Sequence, residues 1–254
     1  MKYIKLSQLL NKELKKLDGI VGLFVKFLTS NETFVYNENE QFWAASVIKV
    51  PIALTFYKHI KEKNINDSEK VKISEDNYVQ GSGVVKLLDE NNKYSYKDLI
   101  TLMLVVSDNT ATNQIIDFIG WESVEKYMIE IGLENTTFKH KMMIKAGRGP
   151  NLTTAKDMSD LLEKMYKIEL SGSDFILQIM QEQLDRTRIP LYIPNEIPIA
   201  HKFGTLSEAL HEIGIVFSKN PFIFSFFSDD QKDKRLTNKV LSRCAKLCFD
   251  YSMK

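Results

Sequence analysis

One pair of residues near the start of the chain has the types and spacing that acyl transfer requires. Ser46 and Lys49 lie three positions apart at the start of an apolar run, and a helix would place both side chains on one face. A serine hydroxyl needs a neighbouring base to become a nucleophile, and a lysine held in an apolar pocket can lose its proton near neutral pH. The spacing is consistent with a nucleophile beside its base, but taken alone it favours the alternative, a helix-start serine beside a solvated lysine.

The elements that must position this pair follow from the hydrophobic pattern. Helices are predicted at both ends of the chain and through its middle, where Ser95–Asp98 and Thr154–Asp157 have the spacing of capping boxes. Strand patterns occur only near the ends, as a hairpin at 19–36 and three strands at 197–204, 212–217 and 222–227. The economical arrangement is an antiparallel sheet built from both ends, flanked by the terminal helices, with a helical insertion between.

We therefore predict an α+β fold with a five-stranded antiparallel sheet, and one domain that spans residues 1–254. Its α/β part comprises about 1–61 and 190–254, and its helical part about 62–189. The helix that begins at Ser46 is predicted to run to about Lys61, and residues 62–94 are predicted to be a polar connection.

Composition excludes several classes of function. Hydrophobic residues make up 44% of the 254 residues and charged residues 26%, values typical of a soluble globular protein. The net charge of +1, without a basic stripe, argues against a nucleic-acid partner. Cys244 and Cys248 lie four apart on a predicted apolar stripe, and no Cys/His cluster has zinc spacing, so we expect buried thiols, no metal and no organic cofactor.

The first residues give no export signal. Residues 1–17 predict an amphipathic helix interrupted by lysines, without the continuous apolar region of a signal peptide, and no stretch approaches a membrane span. The expectation is a cytoplasmic protein by default, or a secreted one if a leader is missing from this chain. The pattern leaves the oligomeric state open.

Three short motifs stand in order along the chain: Ser46-x-x-Lys49, Ser107-Asp108-Asn109 and Lys202-Phe203-Gly204. The set resembles the motifs of the active-site serine β-lactamases and penicillin-binding proteins, and specifically the class A β-lactamase branch. The likeness covers roughly residues 20–230 and includes the sequence contexts 107–113 and 151–158. It implies the β-lactamase/transpeptidase-like fold and a small-molecule substrate.

The resemblance assigns catalytic roles to four residues. Ser46 would attack the substrate carbonyl, and Lys49 would accept its proton directly or through a water. The Ser107 hydroxyl would lie between the two lysines and pass a proton to the leaving nitrogen. Lys202 would supply a fixed positive charge for a substrate carboxylate.

The same resemblance assigns substrate contacts. Asn109 would hold the substrate amide, and Gly204 and Thr205 would border the bound substrate. The backbone N–H groups of Ser46 and Thr205 would form the oxyanion hole. Asp108 is expected to stabilise its turn, and Asn113 to give structural support.

Two departures from the family pattern bear on function. Phe203 stands where the family has a hydroxyl residue, which removes one hydrogen bond to a substrate carboxylate. The segment 135–154 contains no Asp or Glu, whereas class A β-lactamases carry there the glutamate that activates the deacylating water. His140 or Lys141 would be a substitute base, with solvated loop side chains as the other interpretation. We identify no arginine near the third motif to bind a carboxylate; His211 and Glu212 are the nearby candidates, with structural roles equally open.

These observations favour a serine hydrolase that forms an acyl-enzyme at Ser46 and releases it slowly. The alternatives are a D-Ala-D-Ala peptidase, penicillin-binding protein or esterase, or a module that binds penicillin or muropeptides without turnover. The presence of two lysines with two serines favours chemistry over binding alone.

Overall fold

The strands of the main sheet lie towards the two ends of the chain, and most of the helices lie between them. The computed structural model describes residues 2–144, 147 and 149–254. Its strands are β1 (Ile20–Phe27), β2 (Thr33–Tyr36), β3 (Phe42–Trp43), β4 (Lys70–Lys72), β5 (Lys93–Ser95), β6 (Leu152–Thr153), β7 (Ile199–Thr205), β8 (Leu210–Val216) and β9 (Phe222–Asp229). Its α-helices are α1 (Tyr3–Leu14), α2 (Lys49–Lys63), α3 (Tyr96–Val105), α4 (Asn109–Ile119), α5 (Trp121–Glu130), α6 (Ala155–Tyr166), α7 (Ser173–Gln181) and α8 (Lys234–Ser252).

The central sheet joins the two ends of the chain. Its five strands are antiparallel in the order β2-β1-β9-β8-β7. The register between β1 and β9 runs from Ile20 opposite Asp229 to Phe27 opposite Phe222. The predicted five-stranded sheet from both chain ends is therefore confirmed, and β7 is left as an edge strand.

Apolar side chains cover both faces of this sheet. One cluster packs α1 and α8 against it, through residues such as Leu10, Leu241 and Phe226. The other packs the helical part against it and includes Val47, Leu99 and Ile213. Because both faces are covered, β8 is buried along its whole length.

Several local predictions need correction. The connection 62–94 contains β4 and the first two residues of β5, and these two strands pair with each other. The helix predicted from Ser46 begins as a 3₁₀ turn over Ala45–Ile48 and becomes α-helical only at Lys49.

The predicted capping boxes have different outcomes. That of Ser95 is complete, with reciprocal hydrogen bonds to Asp98, as predicted. That of Thr154 is half formed, because the Asp157 carboxylate accepts hydrogen bonds from Asn135 and Thr136 instead.

The remaining features concern metals, thiols and membranes. Cys244 and Cys248 are buried free thiols, as predicted, and burial raises the pKa of both. Within residues 2–144, 147 and 149–254, no three His, Cys, Asp or Glu side chains are grouped to hold a metal ion. No helix of that part of the chain is both long and apolar enough to cross a bilayer.

Candidate active site

Ser46 lies on the 3₁₀ turn that leads into α2, at the junction of the sheet and the helical part. The turn begins after Ala44, whose amide donates to the Asn151 carbonyl at 2.8 Å, and Ala45 has a positive φ of 46°. Ser46 is half-buried, whereas Lys49, three residues later, is completely buried. The turn and helix form one continuous segment, so the predicted Ser46–Lys49 spacing lies within a single helical stretch.

Lys49 is the centre of a hydrogen-bonded cluster. Its ammonium donates to the Ser107 carbonyl at 2.7 Å, to Ser107 Oγ at 3.0 Å and to Asn109 Oδ1 at 2.7 Å. Burial lowers the pKa of Lys49 to about 7, against a smaller opposite effect of the Asp108 carboxylate. The first two motifs therefore meet around an amine that can exist in either protonation state at neutral pH.

The second motif is held by its own aspartate. Ser107 has a positive φ of 56° between α3 and α4, and Asp108 follows as the N-cap of α4. One Asp108 oxygen accepts from the Ala111 amide at 2.9 Å, and the other accepts from the amides of Val84 and Val85 at 2.6 and 2.8 Å. Asp108 thus fixes the turn that presents Ser107, in agreement with its expected structural role.

Asn109 has a defined amide orientation. Its oxygen accepts from Lys49, and its nitrogen donates to the Gln80 carbonyl at 3.1 Å. A Cβ at Gly81 would lie 2.6 Å from that nitrogen, so the backbone of this loop approaches the amide closely. An amide nitrogen carries two hydrogens, and Gln80 uses one of them.

The third motif lies on the edge strand β7. A Cβ at Gly204 would stand 2.9 Å from Ala45 Cβ and 3.1 Å from the Ser46 nitrogen, so only glycine permits this approach of β7 to the turn. Lys202 is completely buried and donates to the Phe203 carbonyl at 3.1 Å. Burial lowers the pKa of Lys202 well below its usual range, and the charges of Lys49 and Arg188 lower it further.

Arg188 corrects the prediction that no arginine lies near the third motif. One terminal nitrogen donates to the carbonyls of Gly204 and His211 at 3.2 and 2.8 Å, and the other donates to Thr205 Oγ1 at 2.7 Å. The residue is 6% exposed, and its guanidinium lies 4.8 Å from the centre of the Phe203 ring. No sequence pattern predicted this placement, because nothing local distinguishes Arg188 from Arg186, two residues earlier in the same polar segment.

His211 and Glu212 are both fully buried, and their side chains bind other groups of the protein. These contacts favour structural roles for both residues over binding of a substrate carboxylate. His211 donates through Nε2 to the Trp43 carbonyl at 2.9 Å and accepts at Nδ1 from the Ser228 amide at 3.2 Å. Burial lowers the pKa of His211 to about 4. The Glu212 carboxylate accepts from the amide of Ile189 at 2.5 Å and pairs with His201 Nδ1 at 2.8 Å.

Met142, in the segment that lacks an acid, is held by a side chain of α4. The Asn113 side chain accepts from the Met142 amide at 2.8 Å and donates to its carbonyl at 3.1 Å, so it clamps this one residue against α4. Met142 is 8% exposed and shares an apolar cluster with Ala44 and Val47. Asn113 thus has the expected supporting role.

The two proposed substitute bases differ in their contacts. Lys141 forms an ion pair with Asp117 and donates to Asn77 Oδ1 at 3.1 Å. His140 Nδ1 donates to the Lys141 carbonyl at 2.8 Å, which leaves its Nε2 as the basic nitrogen. Residues 145, 146 and 148 of the same segment lie outside the described residues.

Comparison with known proteins identifies the family of this chain. The model of the β-lactamase enzyme family matches residues 5–252. The chain belongs to this family. Its fold is the β-lactamase/transpeptidase-like fold, and its relatives include β-lactamases and penicillin-binding proteins.

Individual relatives are distant in sequence. Beta-lactamase VEB-1 of Pseudomonas aeruginosa is 23% identical over 94% of this chain and 87% of its own length. The crystal structure of the TLA-3 extended-spectrum β-lactamase matches with a TM-score of 0.91 and 23% identity over all of both chains. The structure of PBP-A matches with a TM-score of 0.89 and 26% identity over 98% of this chain and 96% of that one. A PBP-A variant with leucine replaced by glutamate has also been solved as its acyl-enzyme complex with penicillin G.

Proposed function

We propose that this member of the β-lactamase family is a serine hydrolase that forms an acyl-enzyme at Ser46 with β-lactams or related amides and esters. The observation that carries the proposal is the cluster around Lys49. The Lys49 amine is buried, has a pKa of about 7, and contacts the hydroxyl of Ser107 and the amide of Asn109. Lys49 lies three residues after Ser46 in one helical segment. A structural lysine has no need of such surroundings, whereas a general base does.

Acylation then follows from the arrangement of proton carriers. Neutral Lys49 accepts the Ser46 proton, directly or through a water, as the serine oxygen bonds to the substrate carbonyl carbon. The Ser107 hydroxyl, 3.0 Å from Lys49 Nζ, delivers its proton to the leaving nitrogen as the C–N bond breaks and takes the proton of Lys49 in its place. The N–H groups of Ser46 and Thr205 stabilise the developing oxyanion, an interaction worth about 100- to 1000-fold in rate per donor.

Substrate contacts surround this centre. The free N–H of Asn109 is suited to a substrate carbonyl on the acyl side. On the opposite side, Lys202, Arg188 and the exposed Thr205 hydroxyl provide two cations and a hydroxyl for a carboxylate. This pairing suits a β-lactam and equally the terminal carboxylate of a peptidoglycan stem peptide.

Slow release of the acyl group is the second part of the proposal. No carboxylate lies in the segment 135–154, and the residue that Asn113 clamps against α4 is the apolar Met142. General-base activation of water is worth about 100- to 10,000-fold, so its loss prolongs the acyl-enzyme. This observation also favours the second candidate function, a penicillin-binding or D-Ala-D-Ala peptidase activity. The similarity to PBP-A supports the same candidate.

Intact-protein mass spectrometry after brief exposure to penicillin G tests the proposal. We expect an adduct of the mass of penicillin that persists for minutes or longer in the wild type and is absent from Ser46→Ala. An adduct that clears within seconds would contradict slow deacylation and indicate an efficient β-lactamase. Absence of an adduct at all times would exclude acylation by penicillins.

Restoring a carboxylate tests the reason for slow release. We expect Met142→Glu to shorten the lifetime of the adduct by about 10-fold or more, because the Asn113 clamp fixes residue 142 beside the helix that carries Asn109. Met143→Glu is the matched control, because Met143 is the next residue, is 63% exposed and lies outside the clamp. Equal lifetimes for Met142→Glu and wild type would show that the missing base belongs at another position.

A further inference from the structure

Phe203, the residue that departs from the family motif, touches both cations of the third motif. It lies between Lys202 and Gly204 on β7 and is half-buried. The Lys202 ammonium lies 4.3 Å from the centre of the Phe203 ring, and the Arg188 guanidinium lies 4.8 Å from the same centre. Both distances are within the range in which a cation is attracted to an aromatic face.

The two cations need such a contact because they repel each other. Lys202 is completely buried, Arg188 nearly so, and the charge of Arg188 is one cause of the lowered pKa of Lys202. The carboxylates of Asp185 and Glu212 act on Lys202 in the opposite direction. Asp185 forms an ion pair with Arg188 at 4.0 Å, and both Glu212 oxygens already bind a backbone amide and a histidine. Beside these acids, the Phe203 ring contacts both cations.

We propose that Phe203 is a positioning residue that holds Arg188 and Lys202 together as a paired cationic subsite for a substrate carboxylate. Arg188 uses its other contacts to fix the guanidinium between β7 and β8, through the carbonyls of Gly204 and His211 and the hydroxyl of Thr205. These contacts engage three of the five N–H groups of the guanidinium.

The inference rests on the proposed acylation at Ser46 and concerns how this chain, with Phe203 in its third motif, holds the substrate carboxylate. The hydroxyl that the family places at residue 203 would bind a carboxylate by a directional hydrogen bond. A paired cationic subsite selects by charge instead. Substrates with a carboxylate beside the scissile amide are therefore favoured over their uncharged esters.

The experiment compares penicillin G with its methyl ester on the wild type, Phe203→Leu and Phe203→Tyr. We expect Phe203→Leu to raise the half-saturating concentration of penicillin G about 10-fold with little change in the limiting acylation rate, and to change the ester less than twofold. Phe203→Tyr keeps the ring and should restore the wild-type preference. Phe175→Leu, which removes a ring 5.0 Å from the Lys97 ammonium, is the matched control and should have no effect on either substrate.

A binding measurement separates this inference from the proposed function. In Ser46→Ala protein, calorimetry measures the Kd of each compound without acylation, and adding Phe203→Leu should weaken penicillin G about 10-fold and leave the ester unchanged. If wild type forms no adduct, the proposed function fails while the calorimetry still decides the subsite. Equal losses for the acid and the ester, or no loss for the acid, would overturn the role of Phe203.

Discussion

Lys49 is a fully buried amine surrounded by three acceptor oxygens, and this surrounding determines its chemistry. Removal from water disfavours the charged form and lowers the pKa to about 7, whereas the hydrogen bonds and the Asp108 charge keep the charged form accessible. The neutral and protonated forms are therefore both populated at neutral pH. This balance is what a general base requires.

The pH dependence of acylation follows from this single residue. Because the neutral amine is the active form, we expect the acylation rate to rise with pH, reach half its limit near pH 7 and level off above about pH 8. Adduct formation measured by rapid mixing and mass spectrometry between pH 5.5 and 8.5 checks this. Lys49→Arg should acylate very slowly across the whole range, because a guanidinium remains charged. A rate independent of pH from 6 to 8 would exclude Lys49 as the base.

At the scale of elements, His211 connects three strands around the nucleophile. It lies on β8, accepts from the Ser228 amide on β9 and donates to the Trp43 carbonyl on β3, two residues before Ala45. Both ring nitrogens are used in a way that requires the neutral Nε2–H form. The imidazole therefore ties the start of the Ser46 turn to the sheet only while it is uncharged.

The stability of the fold should depend on pH through this histidine. Its pKa is about 4 when folded and near 6.5 when unfolded, so the unfolded state binds more protons between these values and stability is lost as the pH falls. Between pH 7 and pH 5 we expect the free energy of unfolding to fall by about 2 kcal/mol more in the wild type than in His211→Asn. Urea unfolding at both pH values measures the difference, with His140→Asn as control. Parallel pH profiles for the wild type and His211→Asn would refute the assignment.

At the scale of the whole molecule, the central sheet lies between two apolar clusters and packs against both. The cluster with α1 and α8 lies on one face, and the cluster with the helical part lies on the other. The strands β1 and β9 pair residues from opposite ends of the chain, so neither end completes the sheet alone. We therefore propose that residues 1–254 unfold as one unit.

Core truncations on the two sides test this unity. Leu10→Ala lies in the first cluster and Leu99→Ala in the second, and both side chains are completely buried. Each should lower the free energy of unfolding by about 2–5 kcal/mol. In both variants, far-UV circular dichroism and tryptophan fluorescence should give coincident unfolding curves. Two separated transitions in either variant would indicate that the helical part unfolds independently.

The sequence by itself determined the features that depend on local pattern. Runs rich in β-branched and aromatic residues predicted the strands of both chain ends, and the order of the three motifs predicted the family, because local composition and short motifs are properties of neighbouring residues. The family resemblance also implied that Lys49, Ser107 and Asn109 lie in one site. The same comparison identified the acid that the segment 135–154 lacks. These inferences needed no knowledge of distant contacts.

Tertiary structure alone decided which distant side chains complete the site. Arg188 reaches Thr205 because the backbone of Ile189 is bound by Glu212, and no periodicity encodes that contact. The structural use of His211 likewise depends on strands that meet only in the folded sheet. Such contacts join residues far apart in the chain. Packing decides which of several similar residues makes each contact, and short-range sequence patterns do not contain that information.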